Sequence, residues 1–176
     1  MGIIDPLALD ADETRLLRTL GLLTRGALHE ISNPLVGLVG SAELALGEAE
    51  PGTKLHGRIA LTHRTGTEIA GIVRALQAFI RLQNMPAGPL SLGEAAAEAV
   101  ALVDLVLPTH DATLTAAGDA TVIAAPGKVR CSLVELLVEA LERSDSRGTL
   151  ALTVRADGND AVVAATGGGE LRLPAG

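Results

Sequence analysis

The chain has 176 residues, of which 48% are hydrophobic and 20% charged, a composition typical of one ordinary folded domain or two small ones rather than a disordered chain. Its net charge is -7, with lysine only at Lys54 and Lys128, so no basic surface is available for a phosphate backbone and we expect no nucleic-acid partner. Cys131 is the only cysteine, which excludes internal disulfides and thiolate zinc clusters and favours a reducing, cytoplasmic location.

A long amphipathic helix is predicted from Glu13 to Glu48, because apolar residues return there at helical spacing. The stripe that they form comprises Leu16, Leu20, Leu23, Ala27, Ile31, Leu35, Leu38, Ala42 and Ala45. The longest uncharged stretch near the front, residues 31–42, is too short to cross a bilayer, so we expect no association with a membrane.

A second helix is predicted after the turn-forming residues 50–53, with Thr53 as its N-cap. Its apolar positions are Ile59, Ile69, Ile72, Val73, Leu76, Phe79 and Ile80. Each helix of this hairpin has one stripe to bury, and two helices cannot enclose a core by themselves. We therefore predict a homodimer in which two hairpins form a four-helix bundle.

A domain boundary is predicted at residues 84–89, where proline and glycine end the helical pattern. The first domain then covers residues 10–84 and the second covers residues 88–170. The second is predicted to be a small α+β layered structure with an aliphatic core, since Phe79 is the only aromatic residue of the chain. Its predicted strands are 89–92, 112–117, 120–124, 149–156 and 161–165, and its helices are 93–106 and 127–144. Residues 167–176, which begin with three glycines, are predicted to be a frayed tail.

The most informative stretch is His29-Glu30-Ile31-Ser32-Asn33-Pro34-Leu35, inside the first helix. Helical spacing puts His29 and Asn33 one turn apart on the same face, with Glu30 beside them. Pro34 removes the N–H that would bond to the Glu30 carbonyl, so the helix is expected to bend there. An exposed imidazole next to a carboxylate suits nucleophilic phosphoryl chemistry, because the carboxylate holds the proton on one ring nitrogen and leaves the other free. Taken alone, the pair also fits an ordinary solvated histidine.

This stretch, continued by residues 36–44, closely resembles the phosphoacceptor box of sensor histidine kinases. The resemblance extends across the hairpin, which would be the dimerisation and phosphotransfer domain, and into the second half, whose order of elements is similar to the first part of the kinase ATP-binding domain. It implies that His29 is phosphorylated, that Glu30 acts as its base or orienter, and that Asn33 assists phosphoryl transfer or hydrolysis.

The second half departs from the kinase pattern where ATP would bind. Glu135 and Glu139 stand at both asparagine positions of the family's Asn-rich box, and the second of these is the Mg²⁺-binding position. Ala165 stands where the family has the aspartate that accepts a hydrogen bond from adenine, and alanine has no acceptor in its side chain. The sequence ends at Gly176, before the family's lid and closing strands. We therefore predict a degenerate, truncated ATPase-like α/β sandwich that binds no ATP and has no intrinsic cofactor.

These features together predict a histidine phosphotransfer protein that relays a phosphoryl group between His29 and aspartates of response-regulator receiver domains, with Mg²⁺ supplied by the receiver. Counting the helical rise from the turn brings roughly the level of Val73 and Arg74 opposite His29, which makes Arg74 a candidate phosphate partner beside the alternative of a solvated or ion-paired arginine. Two other functions stay open, a non-catalytic pseudokinase that scaffolds or inhibits a kinase or regulator, and a phosphatase of receiver domains.

Overall fold

The computed structural model describes residues 11–83, 85–107, 111–145 and 147–174, without the side chains of residues 11–19 and Leu22. The fold is α+β, a helical hairpin followed by a small α/β domain, as predicted. Contacts divide the chain into two compact units between Ile80 and Arg81. Asp10 and Asn84, the predicted limits of the first domain, lie outside the described residues.

The hairpin consists of α1, Ala11–Glu48, and α2, Lys54–Leu82. The helix α1 is continuous across Pro34. The predicted N-cap is confirmed, since the Thr53 hydroxyl accepts a hydrogen bond from the His56 N–H over 3.1 Å. None of the helices in the described part of the chain combines the length and the apolarity needed to cross a membrane.

The two helices come close together at Gly66, where a Cβ would lie 3.0 Å from methyl groups of Leu38 and Val39. Few hairpin side chains are buried in the described part of the chain: Leu28, Ala42 and Val73. Much of the predicted apolar stripe is exposed instead, including Leu20, Leu23, Ile31 and Leu38. The stripe position Leu16 lies outside the described side chains. The hairpin therefore leaves a large apolar surface uncovered.

The α/β domain contains two helices and six strands in its described residues. They are β1 (Gly88–Ser91), α3 (Leu92–Val106), β2 (Asp111–Ala117), β3 (Thr121–Ala124), α4 (Pro126–Arg143), β4 (Arg147–Asp157), β5 (Asp160–Ala165) and β6 (Gly169–Pro174). The main sheet has the order β2-β4-β5-β6, with β2 and β4 parallel and the other pairs antiparallel, and β1 pairs with β3 in a separate antiparallel ribbon.

The core of this domain lies between the main sheet and the two helices. Alternate residues of β4, namely Leu150, Leu152 and Val154, point into it, as the period of a strand covered on one face requires. Leu133 and Leu137 of α4 are fully buried against them. The buried cluster consists of leucine, valine and alanine, as the aromatic-poor composition predicted.

The prediction of a frayed tail at residues 167–176 is wrong for residues 169–174, which form β6 and pair with β5. Gly167 and Gly168 make the turn before it with φ angles of 88° and 116°, which residues with a Cβ rarely adopt. Leu171 and Leu173 pack against the core and alternate with exposed polar residues. Residues 175 and 176 lie outside the description.

A carboxylate joins the loop before β3 to the start of α3. One oxygen of Asp119 accepts hydrogen bonds from the Gly93 N–H (2.8 Å), the Ser91 hydroxyl (2.9 Å) and the Ala120 N–H (2.8 Å). The hydroxyl of Ser91 in turn accepts from the Glu94 N–H and caps α3. The hydrogen bonds from Gly93 and Ser91 lower the pKa of the Asp119 carboxyl from its ordinary value of 3.8.

We predict that Asp119→Asn lowers the stability of the domain at neutral pH and that the difference from wild type shrinks in acid. A lowered folded-state pKa means that the ionised carboxylate stabilises the fold above about 3.8, and that this contribution is lost as the pH falls through the folded-state pKa. Urea midpoints of both proteins measured from pH about 7 down to about 3 check the prediction. A difference that stays constant over this range would show that the charge of Asp119 is not involved.

Candidate functional site

His29 lies in the N-terminal half of α1, immediately after a residue that faces the second helix. Leu28 is buried, at 8% exposure, and packs toward α2. His29 follows it by about 100° around the helix axis, and its side chain is exposed. Among the described residues, none forms a hydrogen bond or an ion pair with the imidazole. The ring is therefore accessible to a partner molecule.

Asn33 and Glu30 are exposed as well, but they lie at different angles to His29. Asn33 follows His29 by one helical turn and lies on the same side of α1, as predicted. Glu30 lies about 100° further round the axis than His29. No hydrogen bond joins the Glu30 carboxylate to the His29 imidazole in the described part of the structure. Although His29 and Glu30 are adjacent in the sequence, their side chains do not contact each other in the rotamers that the structure shows.

The register of the hairpin follows from two contacts between its helices. The side-chain amide of Gln77 donates a hydrogen bond to the Leu28 carbonyl over 3.1 Å, and Gly66 lies against Leu38. In an antiparallel pair these contacts bring residue 76 level with His29. Val73 and Arg74, which counting of the rise put at that level, lie two to three residues away, or about 3 to 4.5 Å along the axis.

Arg74 nevertheless lies on the same side of the hairpin as His29. It follows the buried Val73 around α2 by the angle at which His29 follows the buried Leu28 around α1. Equal rotations from facing positions lead to the same side of an antiparallel pair. Arg74 is exposed, and no carboxylate among the described residues pairs with it. We call the surface of His29, Asn33 and Arg74 the histidine side.

Five exposed apolar residues of the hairpin lie on the opposite surface, which we call the apolar side. It comprises Leu20, Ile31 and Leu38 of α1 and Leu61 and Ile69 of α2, whose exposed fractions run from 44% to 53%. On α1 these residues lie about half a turn from His29. These five residues and the nucleophile candidate are therefore on different sides of the hairpin.

An open groove of about 500 Å³ lies on the apolar side, near the turn between the helices. Its lining is mostly small or aliphatic: Gly37, Leu38, Ser41, Ala42 and Ala45 from α1, and Arg58, Ile59 and Thr62 from α2. Small residues on α1 allow another helix to approach closely. The groove extends the apolar side toward the turn.

The positions that the resemblance assigns to a nucleotide lie on α4 and at the end of β5. The Glu139 carboxylate accepts a hydrogen bond from Arg143 over 2.7 Å, so it already has a cationic partner. Leu136 packs against Gly169, where a Cβ would lie 2.7 Å from the leucine Cδ2. Ala165 is buried at 9% exposure. No group of three or more metal-ligating side chains occurs among the described residues.

Gln77 is the residue near His29 that sequence reasoning missed. It stands in a run of apolar positions on α2, one turn after Val73 and three residues before Ile80. A polar residue at such a position must find a partner when the helix packs. That interruption of the stripe was the available signal.

No family model matches the chain, and no curated protein matches it either. Solved structures that are similar to it include full-length ShkA in complex with AMPPNP, at 19% identity and a TM-score of 0.48 over 81% of this chain and 32% of that one. A bacterial phosphotransferase is similar at 18% identity and a TM-score of 0.48 over 91% and 69% of the two chains. The histidine kinase ThkA, in complex with response regulator protein TrrA, is similar at 18% identity and a TM-score of 0.40 over 86% and 46%. This chain spans about a third of the length of the ShkA chain.

Proposed function

We propose that this chain is a histidine phosphotransfer protein of two-component signalling in the cytoplasm. It accepts a phosphoryl group from the aspartyl phosphate of one response-regulator receiver domain and passes it to the aspartate of another. The observation that carries the proposal is the exposed imidazole of His29, inside the motif His-Glu-Ile-Ser-Asn-Pro-Leu and without a bonding partner among the described residues. The nucleophile of such a transfer must be exposed, because a second protein has to bring its phosphorus atom within bonding distance.

The transfer exchanges one phosphorus–oxygen bond for one phosphorus–nitrogen bond. The lone pair of one ring nitrogen of His29 attacks phosphorus in line with the aspartyl oxygen, which leaves with the bonding electrons as a carboxylate. The other ring nitrogen keeps its proton, and Glu30 accepts a hydrogen bond from it after a change of rotamer. The Asn33 amide and the Arg74 guanidinium orient the equatorial oxygens. Mg²⁺ enters with the receiver and balances the negative charge of the phosphoryl group.

In this proposal the phosphoryl group never comes from ATP. Glu135 and Glu139 add negative charge where a triphosphate would lie, and Glu139 is bound to Arg143. Leu136 packs beside Gly169, and Ala165 offers no acceptor for an adenine amino group. These features support a domain that has lost its nucleotide site and needs no cofactor of its own.

A homodimer is part of the proposal. The exposed residues of the apolar side cannot be covered by the two helices of one chain, and Leu38 is 48% exposed beside an open groove. Packing against a second hairpin completes a four-helix bundle and fills the groove. Because the apolar side is about half a turn away from His29 on α1, the bundle leaves the imidazole accessible.

The receiver domain docks on the histidine side in this proposal. Val36 and Leu44 are 67% and 73% exposed and follow His29 by about two and four helical turns. They supply apolar contact area along the histidine side, between the nucleophile and the turn, and such area is what a protein interface needs.

Transfer from a phosphorylated receiver tests the proposal. Receivers that carry labelled aspartyl phosphate are mixed with the chain and Mg²⁺, and we expect acid-labile, alkali-stable label on the wild-type protein. The variant His29→Gln has a polar side chain of similar size but no nucleophilic nitrogen. We expect its uptake of label to be lower by more than about 10³-fold.

Several outcomes of this experiment would contradict the relay. Label on His29→Gln places the acceptor elsewhere, and label from Mg-ATP on the wild-type chain shows an autokinase. Binding of the receiver without any labelled chain shows a scaffold or inhibitor. Release of inorganic phosphate from the receiver without a labelled intermediate shows a phosphatase, in which Asn33 and Glu30 orient water.

A further inference from the structure

The hydrogen bond from Gln77 to α1 ends on the residue that precedes His29. Gln77 is partly buried on α2, and its Nε2 donates to the Leu28 carbonyl over 3.1 Å. The contact joins residues 49 positions apart in the sequence. It therefore ties this turn of α1 directly to α2.

The turn that Gln77 holds is the one that Pro34 weakens. Proline has no N–H, so the Glu30 carbonyl lacks its partner within the helix. The adjoining helical segment is consequently held by fewer backbone hydrogen bonds than the rest of α1. A donor from the second helix, placed two residues before that carbonyl, adds a hydrogen bond between the helices at the level of His29.

We propose that Gln77 is a positioning residue for His29, which acts through the backbone of Leu28 and does not touch the phosphoryl group. Arg74 lies one turn before Gln77 on α2, so the same hydrogen bond also sets the distance between the imidazole and the guanidinium along the hairpin axis. This inference rests on the proposed phosphotransfer, because only a transfer needs that alignment. It adds a residue that the motif around His29 does not contain.

The substitution Gln77→Leu removes the donor and keeps nearly the same volume. We expect the first-order rate of phosphoryl transfer within the receiver complex to fall about tenfold, since small misalignments of a nucleophile are costly. The receiver concentration for half-maximal rate should change much less, because the docking surface is intact. Gln77→Glu, which keeps the length but presents acceptors at neutral pH, should show the same loss.

A matched control is available in the other unit. Gln83 donates from its side chain to the Gly127 carbonyl over 3.3 Å, so Gln83→Leu removes a hydrogen bond of the same kind far from the site in sequence. We expect this variant to transfer the phosphoryl group at the wild-type rate. A loss in Gln83→Leu equal to that in Gln77→Leu would overturn the positioning role.

Nuclear magnetic resonance of the histidine rings tests the inference without any receiver. In Gln77→Leu and Gln77→Glu, the ring signals of His29 should shift or broaden, while those of His56 and His63 on α2 stay in place. Unchanged His29 signals in both folded variants would overturn the positioning role, even if both variants transfer the phosphoryl group more slowly than the wild type. If the wild-type chain takes no label from any receiver but the His29 signals respond, the proposed function fails while the structural coupling of Gln77 to His29 stands.

Discussion

Replacement of Leu38 with glutamate is expected to convert the proposed dimer into a monomer. Leu38 lies on the apolar side, lines the groove and is half exposed in the single chain. In a four-helix bundle its side chain would be buried, so the desolvation of a carboxylate at this position would cost several kcal/mol in each subunit. Sedimentation at micromolar concentration should show the mass fall from twice 17.9 kDa to 17.9 kDa.

Val36→Glu is the matched control for this prediction. Val36 is two residues earlier on α1, is apolar and 67% exposed, and lies on the histidine side because two residues turn the helix by about 200°. Its replacement should leave the dimer intact and weaken receiver binding. A dimer that survives Leu38→Glu, or one that dissociates with Val36→Glu, would show that the apolar side is not the interface between subunits.

The elements of the fold were predictable because their signals are local. Thr53 follows a cluster of turn residues and caps α2 through its own hydroxyl, and the change from helical spacing to alternation marks the start of the α/β domain. Strand β4 shows its buried face as Leu150, Leu152 and Val154 in alternate positions. Such patterns depend on residues within a few positions of one another, and they need no knowledge of the partner element.

Features that depend on contacts between distant residues were missed. The strand β6 is stabilised by pairing with β5 and by the packing of Leu171 and Leu173, whereas its glycines alone suggest a loose end. The hairpin register depends on the close approach at Gly66 and on the geometry of the turn. Counting from the turn therefore gives the level of Arg74 only to within about half a helical turn.

In the candidate site too, the features with local signals were predictable and those that depend on distant contacts were not. His29 and Asn33 were identifiable because one turn of helix brings them to the same side, and both are exposed. A contact between Glu30 and the imidazole depends on side-chain rotamers, which sequence spacing does not determine. The bond from Gln77 to the Leu28 carbonyl depends on the register, so no local pattern around His29 contains it.

The α/β domain should be most sensitive to Gly118→Ala, which we expect to lower its free energy of unfolding by at least about 3 kcal/mol. Gly118 has a φ of 82°, and an alanine in this region costs about 1 to 2 kcal/mol. A Cβ there would also overlap the Val154 carbonyl oxygen. Val154 belongs to β4, which pairs with strands on both sides, so its backbone cannot move away without breaking ladder hydrogen bonds.

Gly148→Ala separates the two contributions. Gly148 has a similar φ of 85°, but a Cβ at this position would meet no atom within 4 Å. Its replacement should therefore cost only the backbone term, about 1 to 2 kcal/mol. Urea denaturation of each variant measures its free energy of unfolding. Amide hydrogen exchange in β4, measured separately, reports the local stability of that strand. Equal losses in Gly118→Ala and Gly148→Ala would mean that the domain absorbs the overlap with Val154, and that the central strand is held less firmly than its pairing on both edges implies.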